Sequence, residues 1–342
     1  MEKKEKRASK LVIALILLVA LFAYSYFLII PLMTGSAVAG RAVKSSAIVS
    51  EDLKDISVYF CAVENCTEVF SKLIKSSKKS VHCAIYDLTV PVLISDFREK
   101  SKSADVKILV DDGNFRKVRN LEFVRQDDAS RLSHNKFCIF DDSVVLTGST
   151  NPTRNIEEND NNIVVVTSAH LSENYEQEFS ELWSGRFGGG NRVRYPGIAL
   201  NGTLIENYFC PEDNCAGHMM NILSQANKSI YFMTFSFTHD EIEKMLIERH
   251  NAGIEVSGVF EKSQLSEWSA FYNLNRSGIE VKLDNNKYNM HHKVWIIDKK
   301  IVITGSMNPT LSGDSKNDEN ILIIHDKEIA GLYADEFSRL FR

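Results

Sequence analysis

The chain has 342 residues, of which 44% are hydrophobic and 25% are charged, the composition of an ordinary globular protein. Its formal net charge of −5 is unevenly distributed, because the first 50 residues carry about +5 and the remainder about −10. An acidic body excludes a general electrostatic attraction to nucleic acid, although it leaves room for a local basic groove.

An apolar run from Leu11 to Ile30 follows a basic N-terminus at 1–10. Its twenty residues, at about 1.5 Å each, would cover the roughly 30 Å core of a bilayer, whereas a cleavable signal core has about 7 to 15 residues. The run therefore predicts a membrane anchor over 11–33. Because the positive charges crowd its front flank, the N-terminus is expected in the cytoplasm and the body outside. The alternative is secretion after signal cleavage, since 37–39 has the small-x-small form of a cleavage site.

The six cysteines form two equally spaced pairs and two single residues. The paired residues are Cys61 with Cys66 and Cys210 with Cys215. In an oxidising compartment each pair would close a small local disulfide. Buried free thiols are one alternative, and a zinc site that draws one pair from each half is another. Cys83 and Cys138 lie in apolar, strand-like runs and are expected to be core residues.

The sequence is internally duplicated. An offset of 149 aligns residues 79–89 with 228–238, and after an insertion an offset of 157 aligns 133–136 with 290–293. Further on, residues 175–183 match 333–341. Short apolar runs alternate with helical stretches in both copies, which predicts an α/β fold of two homologous halves packed about a pseudo-twofold axis. The predicted divisions are a linker at 34–54, a first half at 55–187, a Gly- and Pro-containing linker at 188–203 and a second half at 204–342.

Each half contains the same spaced set of polar residues. The pattern is His-x-Lys-x4-Asp, followed after six residues by Gly-Ser-x-Asn. Two copies at equivalent positions of a repeat are not expected by chance. The residues are His134, Lys136, Asp141, Gly148, Ser149 and Asn151 in the first half, and His291, Lys293, Asp298, Gly305, Ser306 and Asn308 in the second.

These motifs resemble those of the phospholipase D superfamily, in which two His-x-Lys-x4-Asp motifs and the asparagines that follow them form one shared site. The resemblance covers about 55–342. It implies catalysis through a phosphohistidine intermediate without a metal or other cofactor, and two α/β halves joined at a continuous β-layer. Members include phospholipases, cardiolipin hydrolases and synthases, small endonucleases and tyrosyl-DNA repair enzymes, so the superfamily alone does not fix the substrate.

The residue types suit this chemistry. Strand side chains alternate, so each histidine shares a face with its lysine, and two opposed faces can surround one phosphate. A neutral imidazole can attack phosphorus while the opposite imidazolium protonates the leaving oxygen. The lysines and asparagines would stabilise charge on the nonbridging oxygens, with Ser149 and Ser306 as further phosphate-binding candidates. Asp141 and Asp298 fall in predicted hairpin turns, where they either orient the site from a distance or are plain turn residues.

The two halves differ at one position of a second motif. In members similar to the small endonucleases a glutamate here supports a catalytic histidine, which matches Glu319, whereas the first half has Asn161. If that contact crosses the pseudo-twofold, as it looks to do in phospholipase members, Glu319 supports His134. That would make His134 the nucleophile and His291 the acid, because a carboxylate raises the basicity of an imidazole. His292 should point to the opposite strand face and is expected to be structural.

Two enzymatic functions fit these motifs. Hydrolysis or transfer of phospholipid head groups is favoured by the predicted anchor and by the acidic body. Cleavage of DNA or RNA by a membrane-tethered endonuclease is the alternative, favoured by the compact two-motif build. A degenerate member that only binds is disfavoured, because all six motif residues and both asparagines are present.

Overall fold

The computed structural model describes residues 48–53, 55–128 and 131–342. The apolar run at 11–30, and with it the predicted anchor, lies outside the described residues. Within the described ranges, no helix is both long enough and apolar enough to cross a bilayer. Both predicted halves belong to one structural unit.

Strands and helices alternate through both halves, as the α/β prediction requires. The strands are β1 (Val49–Glu51), β2 (Ile56–Phe60), β3 (Ser80–Ile85), β4 (Asp105–Val110), β5 (Val124–Gln126), β6 (Lys136–Phe140), β7 (Val144–Gly148), β8 (Asn162–Thr167), β9 (Gly197–Leu200), β10 (Thr203–Cys210), β11 (Ser229–Thr234), β12 (Glu255–Phe260), β13 (Glu280–Leu283), β14 (Lys293–Ile297), β15 (Ile301–Gly305) and β16 (Glu319–Ile324). The helices are α1 (Cys66–Ser76), α2 (Pro91–Lys100), α3 (Asp112–Phe115), α4 (Ala169–Trp183), α5 (Cys215–Ser224), α6 (Asp240–Asn251), α7 (Ala270–Arg276), α8 (Leu311–Ser315) and α9 (Lys327–Leu340).

Each half builds its own mixed β-sheet. The first sheet has the order β2-β8-β7-β6-β3-β4-β5, and the second has the order β1-β9-β10-β16-β15-β14-β11-β12-β13. From β10 onward the second order repeats the first, as the duplicated sequence predicts. The resemblance implied one continuous β-layer, and this is corrected, because the described strands hydrogen-bond within two separate sheets.

Two segments that were predicted to be linkers contribute edge strands. β1 lies within 34–54 and β9 within 188–203, and the two pair in parallel, with Val49 opposite Ile198. β9 then pairs antiparallel with β10 at the edge of the second sheet. This pairing satisfies backbone groups that an open sheet edge would leave unpaired.

Apolar cores cover both faces of each sheet. The central core combines one face of each sheet with α4 and α9, the helices that end the two halves. Tyr175 on α4 and Tyr333 on α9 are fully buried there. Helices α1 and α2 cover the outer face of the first sheet, and α5 to α7 cover that of the second. Strands buried on both faces need continuous apolar runs, which explains why the inner strands show little alternation.

None of the six cysteines is free. The local disulfides Cys61–Cys66 and Cys210–Cys215 are present, so these thiols do not form a zinc site. Cys83 and Cys138 are fully buried core residues, as predicted, but a third disulfide that was not predicted joins them across β3 and β6. The two residues are directly opposite each other in the register of β3 and β6. Their positions in the sequence do not show this pairing, because they are far apart along the chain.

Candidate active site

The two histidines of the motifs stand immediately before β6 and β14, where each is held by the backbone of the other half. The N–H of His134 donates to the carbonyl of Asp318 at 3.0 Å, and the N–H of His291 donates to the carbonyl of Asp160 at 2.9 Å. Both aspartates donate their own N–H groups back to the chain two residues ahead of the histidine. Each half therefore positions the catalytic segment of the other.

Both histidines line one cavity of about 400 Å³ between the halves. Each is 8% exposed, so the rings are buried except at the cavity wall. Asn151 and Asn161 also line this cavity, which we call the catalytic pocket. The structure thus brings the two predicted histidines to one pocket.

Lys136 and Lys293 lie beside the histidines and are each only 2% exposed. Each ammonium group donates to the carbonyl of the histidine two residues earlier, at 2.7 Å for Lys136 and 2.9 Å for Lys293. Since an ammonium group has three donors, further donors remain for a ligand. Burial lowers the pKa of Lys136 to about 7. Burial and repulsion by Lys136 also lower the pKa of Lys293 well below its usual range.

Two aromatic residues that were not among the predicted site residues line the pocket. Tyr86 meets the ring of His134 edge-on at 5.2 Å between centroids, and Phe235 meets that of His291 at 4.6 Å. The lysine of the same half lies over each ring, at 5.4 and 5.0 Å from its centroid. The repeat offset of 149 aligns Tyr86 with Phe235. The presence of an aromatic residue at the same position in both halves could therefore have predicted these two site residues.

The predicted crossed contact of Glu319 is confirmed. Nδ1 of His134 lies 2.8 Å from both carboxylate oxygens of Glu319, which is fully buried. Nδ1 of His291 lies 3.0 Å from the amide oxygen of Asn161 and 3.0 Å from the carbonyl of Ser149. With Nδ1 occupied on both rings, Nε2 is the atom left for the pocket.

The electrostatics of the two imidazoles differ. Burial, followed by the charges of the two lysines, lowers the pKa of both histidines well below the usual value. Glu319 opposes this effect for His134 alone, because its carboxylate stabilises a proton on that ring. Burial raises the pKa of Glu319 to about 7, against the attraction of the Lys136 ammonium group.

Asp141 and Asp298 lie in hairpin turns, as predicted, and do not line the pocket, so a direct catalytic role for these two motif residues is corrected to a role in the turn. Both have a φ of +54° in the turns after β6 and β14, about 16 Å of strand away from the lysines. Asp141 accepts hydrogen bonds from the N–H groups of residues 78–80, and Asp298 from those of 227–229. Burial raises the pKa of both carboxyls, but these donors outweigh it and lower the pKa overall. The aspartates therefore tie each hairpin to the start of β3 or β11.

Ser149 and Ser306, predicted to bind phosphate, use their hydroxyls inside the protein, so that role is corrected too. Ser149 donates to the side chain of Asn162 at 3.2 Å and accepts from its N–H at 3.0 Å. Ser306 accepts from the N–H of Asn320 at 2.9 Å. Both serines are fully buried.

Steric restriction explains why a glycine precedes each of these serines. Gly148 and Gly305 have φ values of +145° and +144°. A Cβ atom on either would lie 2.3 Å from a backbone oxygen, that of Asn162 or of Asn320. Only glycine allows this close approach of the strands beneath the site.

Asn151 and Asn308 occupy equivalent positions after these glycines. The side-chain oxygen of each is buried and has no hydrogen-bond partner among the described residues. Unpaired buried polar atoms are rare in proteins and point to a ligand or an unseen solvent molecule. Asn151 lines the pocket, whereas Asn308 does not form part of its wall.

His292 points away from the pocket, as predicted. Its Nδ1 lies 3.1 Å from the side-chain oxygen of Asn162, and its Nε2 lies 3.1 Å from Glu336. The ring is fully buried. It belongs to the polar network that joins the halves.

One group of carboxylates in the described residues has the spacing of a cation site. Oxygens of Asp111, Asp112 and Asp127 lie within 4.8 Å of one another. Asp127 accepts hydrogen bonds from the N–H groups of Asp112 and Ser133. Its contacts thus hold the segment that leads into His134, a structural role that needs no metal.

Comparison with known proteins matches both halves to one family. The family described as "Cardiolipin synthase, PLD-like domain" matches residues 70–183 and 219–341. Phospholipase D of Rickettsia prowazekii (strain Madrid E) is 33% identical over 151 residues, which are 43% of this chain and 74% of that protein. Mitochondrial cardiolipin hydrolase of Xenopus tropicalis is 29% identical over 137 residues, 39% of this chain and 65% of that protein.

A solved structure extends the likeness in fold over both halves. Phosphatidylserine synthase of Haemophilus influenzae Rd KW20 superposes with a TM-score of 0.61 at 14% identity, and the match covers 84% of this chain and 86% of that one. At this identity the match supports the fold alone. The family match in each half, together with the paired motifs, shows that the chain belongs to the phospholipase D superfamily.

Proposed function

We propose that this protein hydrolyses or transfers the head groups of phospholipids through a phosphohistidine intermediate, without a metal. The observation that carries the proposal is the pair of histidines on one pocket, of which only His134 contacts a carboxylate. Two buried lysines lie beside them, and a bound phosphodiester, whose negative charge raises their pKa, would hold them protonated where a metal enzyme would use a cation.

In the first step, Nε2 of His134 attacks phosphorus and forms a P–N bond. The P–O bond to the head group breaks, and the leaving oxygen takes a proton from Nε2 of His291. The negative charge of the bound phosphodiester raises the pKa of His291, which favours the protonated ring that this step needs. Lys136 and Lys293 donate to the nonbridging oxygens as charge accumulates there.

In the second step, His291 is neutral and takes a proton from water as the water oxygen attacks phosphorus. The P–N bond breaks, and its electron pair returns to His134. Phosphatidic acid leaves, and both histidines regain their first protonation states. An alcohol in place of water gives head-group transfer by the same path.

Three observations support a lipid substrate. The relatives named above carry the names of a phospholipase and a cardiolipin hydrolase. The body of the chain is acidic, which opposes binding to a polyanion. Trp268 and Leu311 are 73% and 62% exposed. Large exposed apolar side chains can insert into a lipid surface.

The proposed compartment is outside the cytoplasm. Three disulfides are formed in the described residues, and such bonds persist mainly in oxidising compartments. This agrees with the orientation predicted from the charges that flank the apolar run at 11–30. The anchor itself stays a prediction from the sequence.

The test is turnover by the full chain in detergent, with labelled phosphatidyl lipids and single-stranded DNA offered in parallel in the presence of EDTA. His134→Ala and His291→Ala should each abolish release of the head group. His250→Ala, the same change on α6 outside the pocket, is the matched control and should keep wild-type turnover.

Each outcome separates the alternatives. Head-group release that survives EDTA and is lost in both pocket variants supports the proposal. Loss of activity in EDTA that added metal restores would contradict the mechanism. DNA cleavage that depends on both histidines, without lipid turnover, would establish the endonuclease instead.

A further inference from the structure

A second cavity adjoins the catalytic pocket on the side of the first half. Its volume is about 790 Å³, and it shares Thr153 and Asn155 with the wall of the catalytic pocket. The loop after β3, helix α2 and the loop after β7 form its walls. A molecule bound between the histidines can therefore extend into this side cavity.

Three cations line the side cavity, in a body of otherwise acidic charge. Arg98 and Arg154 form no ion pair with any carboxylate of the described residues. Lys117 contacts Asp87 at 2.7 Å, and Asp87 itself lines the catalytic pocket. The side cavity thus presents two guanidinium groups whose charge no neighbouring carboxylate satisfies.

The second half has no equivalent of these arginines. At the offset of 149, Arg98 corresponds to Ile247, and at the offset of 157, Arg154 corresponds to Leu311. The same backbone hydrogen bonds form in both halves: the N–H groups of residues 89 and 90 donate to the carbonyl of Pro152, and those of 238 and 239 donate to the carbonyl of Pro309. The aligned positions therefore correspond in the structure as well as in the sequence. The residues proposed to act on the scissile phosphate are present in both halves. Cations that are present in one half alone are therefore expected to contact another part of the substrate.

We propose that the side cavity binds a second anionic group of the substrate, and that the enzyme prefers phospholipids whose head group carries an additional phosphate. This inference rests on the proposed function. Arginine suits the role because its planar donors match phosphate oxygens in pairs. A polynucleotide continues as phosphates on both sides of the scissile bond, whereas the cations stand on one side and Ile247 and Leu311 on the other. A head group with one further phosphate matches that arrangement.

The experiment compares phosphatidylglycerol phosphate with phosphatidylglycerol, two lipids that differ by one phosphate. The full chain is assayed with each lipid at the same low mole fraction in neutral detergent micelles, and phosphatidic acid, the common product, is measured. We expect kcat/KM to be at least about 10-fold higher for the lipid with two phosphates, because a charge-assisted hydrogen bond contributes about that factor or more. The ratio should fall by about 10-fold in Arg154→Gln, and further in Arg98→Gln/Arg154→Gln.

Arg119→Gln is the matched control, because it removes the same charge close to Lys117 without lining the cavity. It should keep the wild-type ratio. Equal rates with both lipids, or a ratio that Arg119→Gln lowers as much as Arg154→Gln does, would overturn the inference while the proposed function stands. Absence of phosphatidic acid from both lipids would overturn the proposed function and the inference with it. If the chain cleaves single-stranded DNA instead and Arg154→Gln slows that cleavage, the cavity takes a nucleotide phosphate and the lipid assignment is wrong.

Discussion

Nδ1 of His134 lies 2.8 Å from the carboxylate of Glu319, whereas the equivalent atom of His291 lies 3.0 Å from the amide oxygen of Asn161. The pseudo-twofold is therefore broken at the contact that controls the basicity of the imidazole. A carboxylate partner favours the ring that carries positive charge after it attacks phosphorus. This difference assigns the nucleophile to His134 in the proposed mechanism.

Glu319→Gln should lower kcat by about 10- to 100-fold, the range typical of the loss of a partner that supports a catalytic group. Glutamine keeps an acceptor for Nδ1 but removes the charge, so the pKa of His134 falls. Activity is lost on the acid side when His134 becomes protonated, and this limb of the kcat/KM profile should move to lower pH. Initial rates measured between pH 4 and 9 give both quantities.

The companion variant is Asn161→Asp, which places a carboxylate behind His291. In the Glu319→Gln background it should recover part of the lost kcat, because the charged partner then supports the opposite histidine. Wild-type kcat in Glu319→Gln, with an unmoved acid limb, would contradict the assigned role.

Asp141→Asn should reduce the free energy of unfolding by about 1–3 kcal/mol, since three backbone N–H groups lose their shared charged acceptor. Asp142→Asn is the matched control, because this neighbour has the same backbone conformation, with a φ of +53°. It should change stability by no more than about 0.5 kcal/mol. Urea unfolding measures both variants. A stable but inactive Asp141→Asn protein would contradict the structural role and show that this aspartate is needed for catalysis.

The contrast between Asp141 and Glu319 shows what the sequence could predict. The spacing of the motifs predicted that each lysine lies beside its histidine, because the period of 2 in a strand determines which side chains share a face. The crossed Glu319 contact followed from the difference between two aligned halves. The hydrogen bonds of Asp141 depend on where the start of β3 lies in the fold. The disulfide between Cys83 and Cys138 depends on the register of the sheet. Both are long-range features that a local pattern does not contain.

Asp318→Asn should make the protein more stable at pH 8. Burial, with nearby carboxylates, raises the pKa of Asp318 from 3.8 to about 7, although backbone donors oppose this. Between about pH 4 and 7 the folded state therefore holds a proton that the unfolded chain releases, so stability falls as pH rises through this window. Asparagine can still accept from the N–H of Gly188 but carries no charge.

The gain at pH 8 should be about 1–3 kcal/mol, and the two proteins should be nearly equal at pH 4. Urea unfolding at pH 4, 6 and 8 gives the three differences. The free energy of unfolding of the variant should still fall somewhat as pH rises, because Glu319 and Asp127 have pKa values of about 7 and about 6. A difference between the proteins that does not grow from pH 4 to pH 8 would show that Asp318 is not protonated in the folded state.

The disulfide that joins Cys83 and Cys138 should stabilise the fold more than either local disulfide. It closes a segment of 55 residues, whereas Cys61–Cys66 closes one of 5. The loss of unfolded-chain entropy grows with the length of the closed segment, to about 4 kcal/mol for the longer one and about 2 kcal/mol for the shorter. Replacing both cysteines of each pair by alanine, and measuring urea unfolding without reductant, compares them. Since all six cysteines are buried, the lost packing adds a similar amount to every double replacement, and the difference between the pairs reports the length of the closed segment. A greater loss for the local pair would mean that the long segment is already constrained in the unfolded chain.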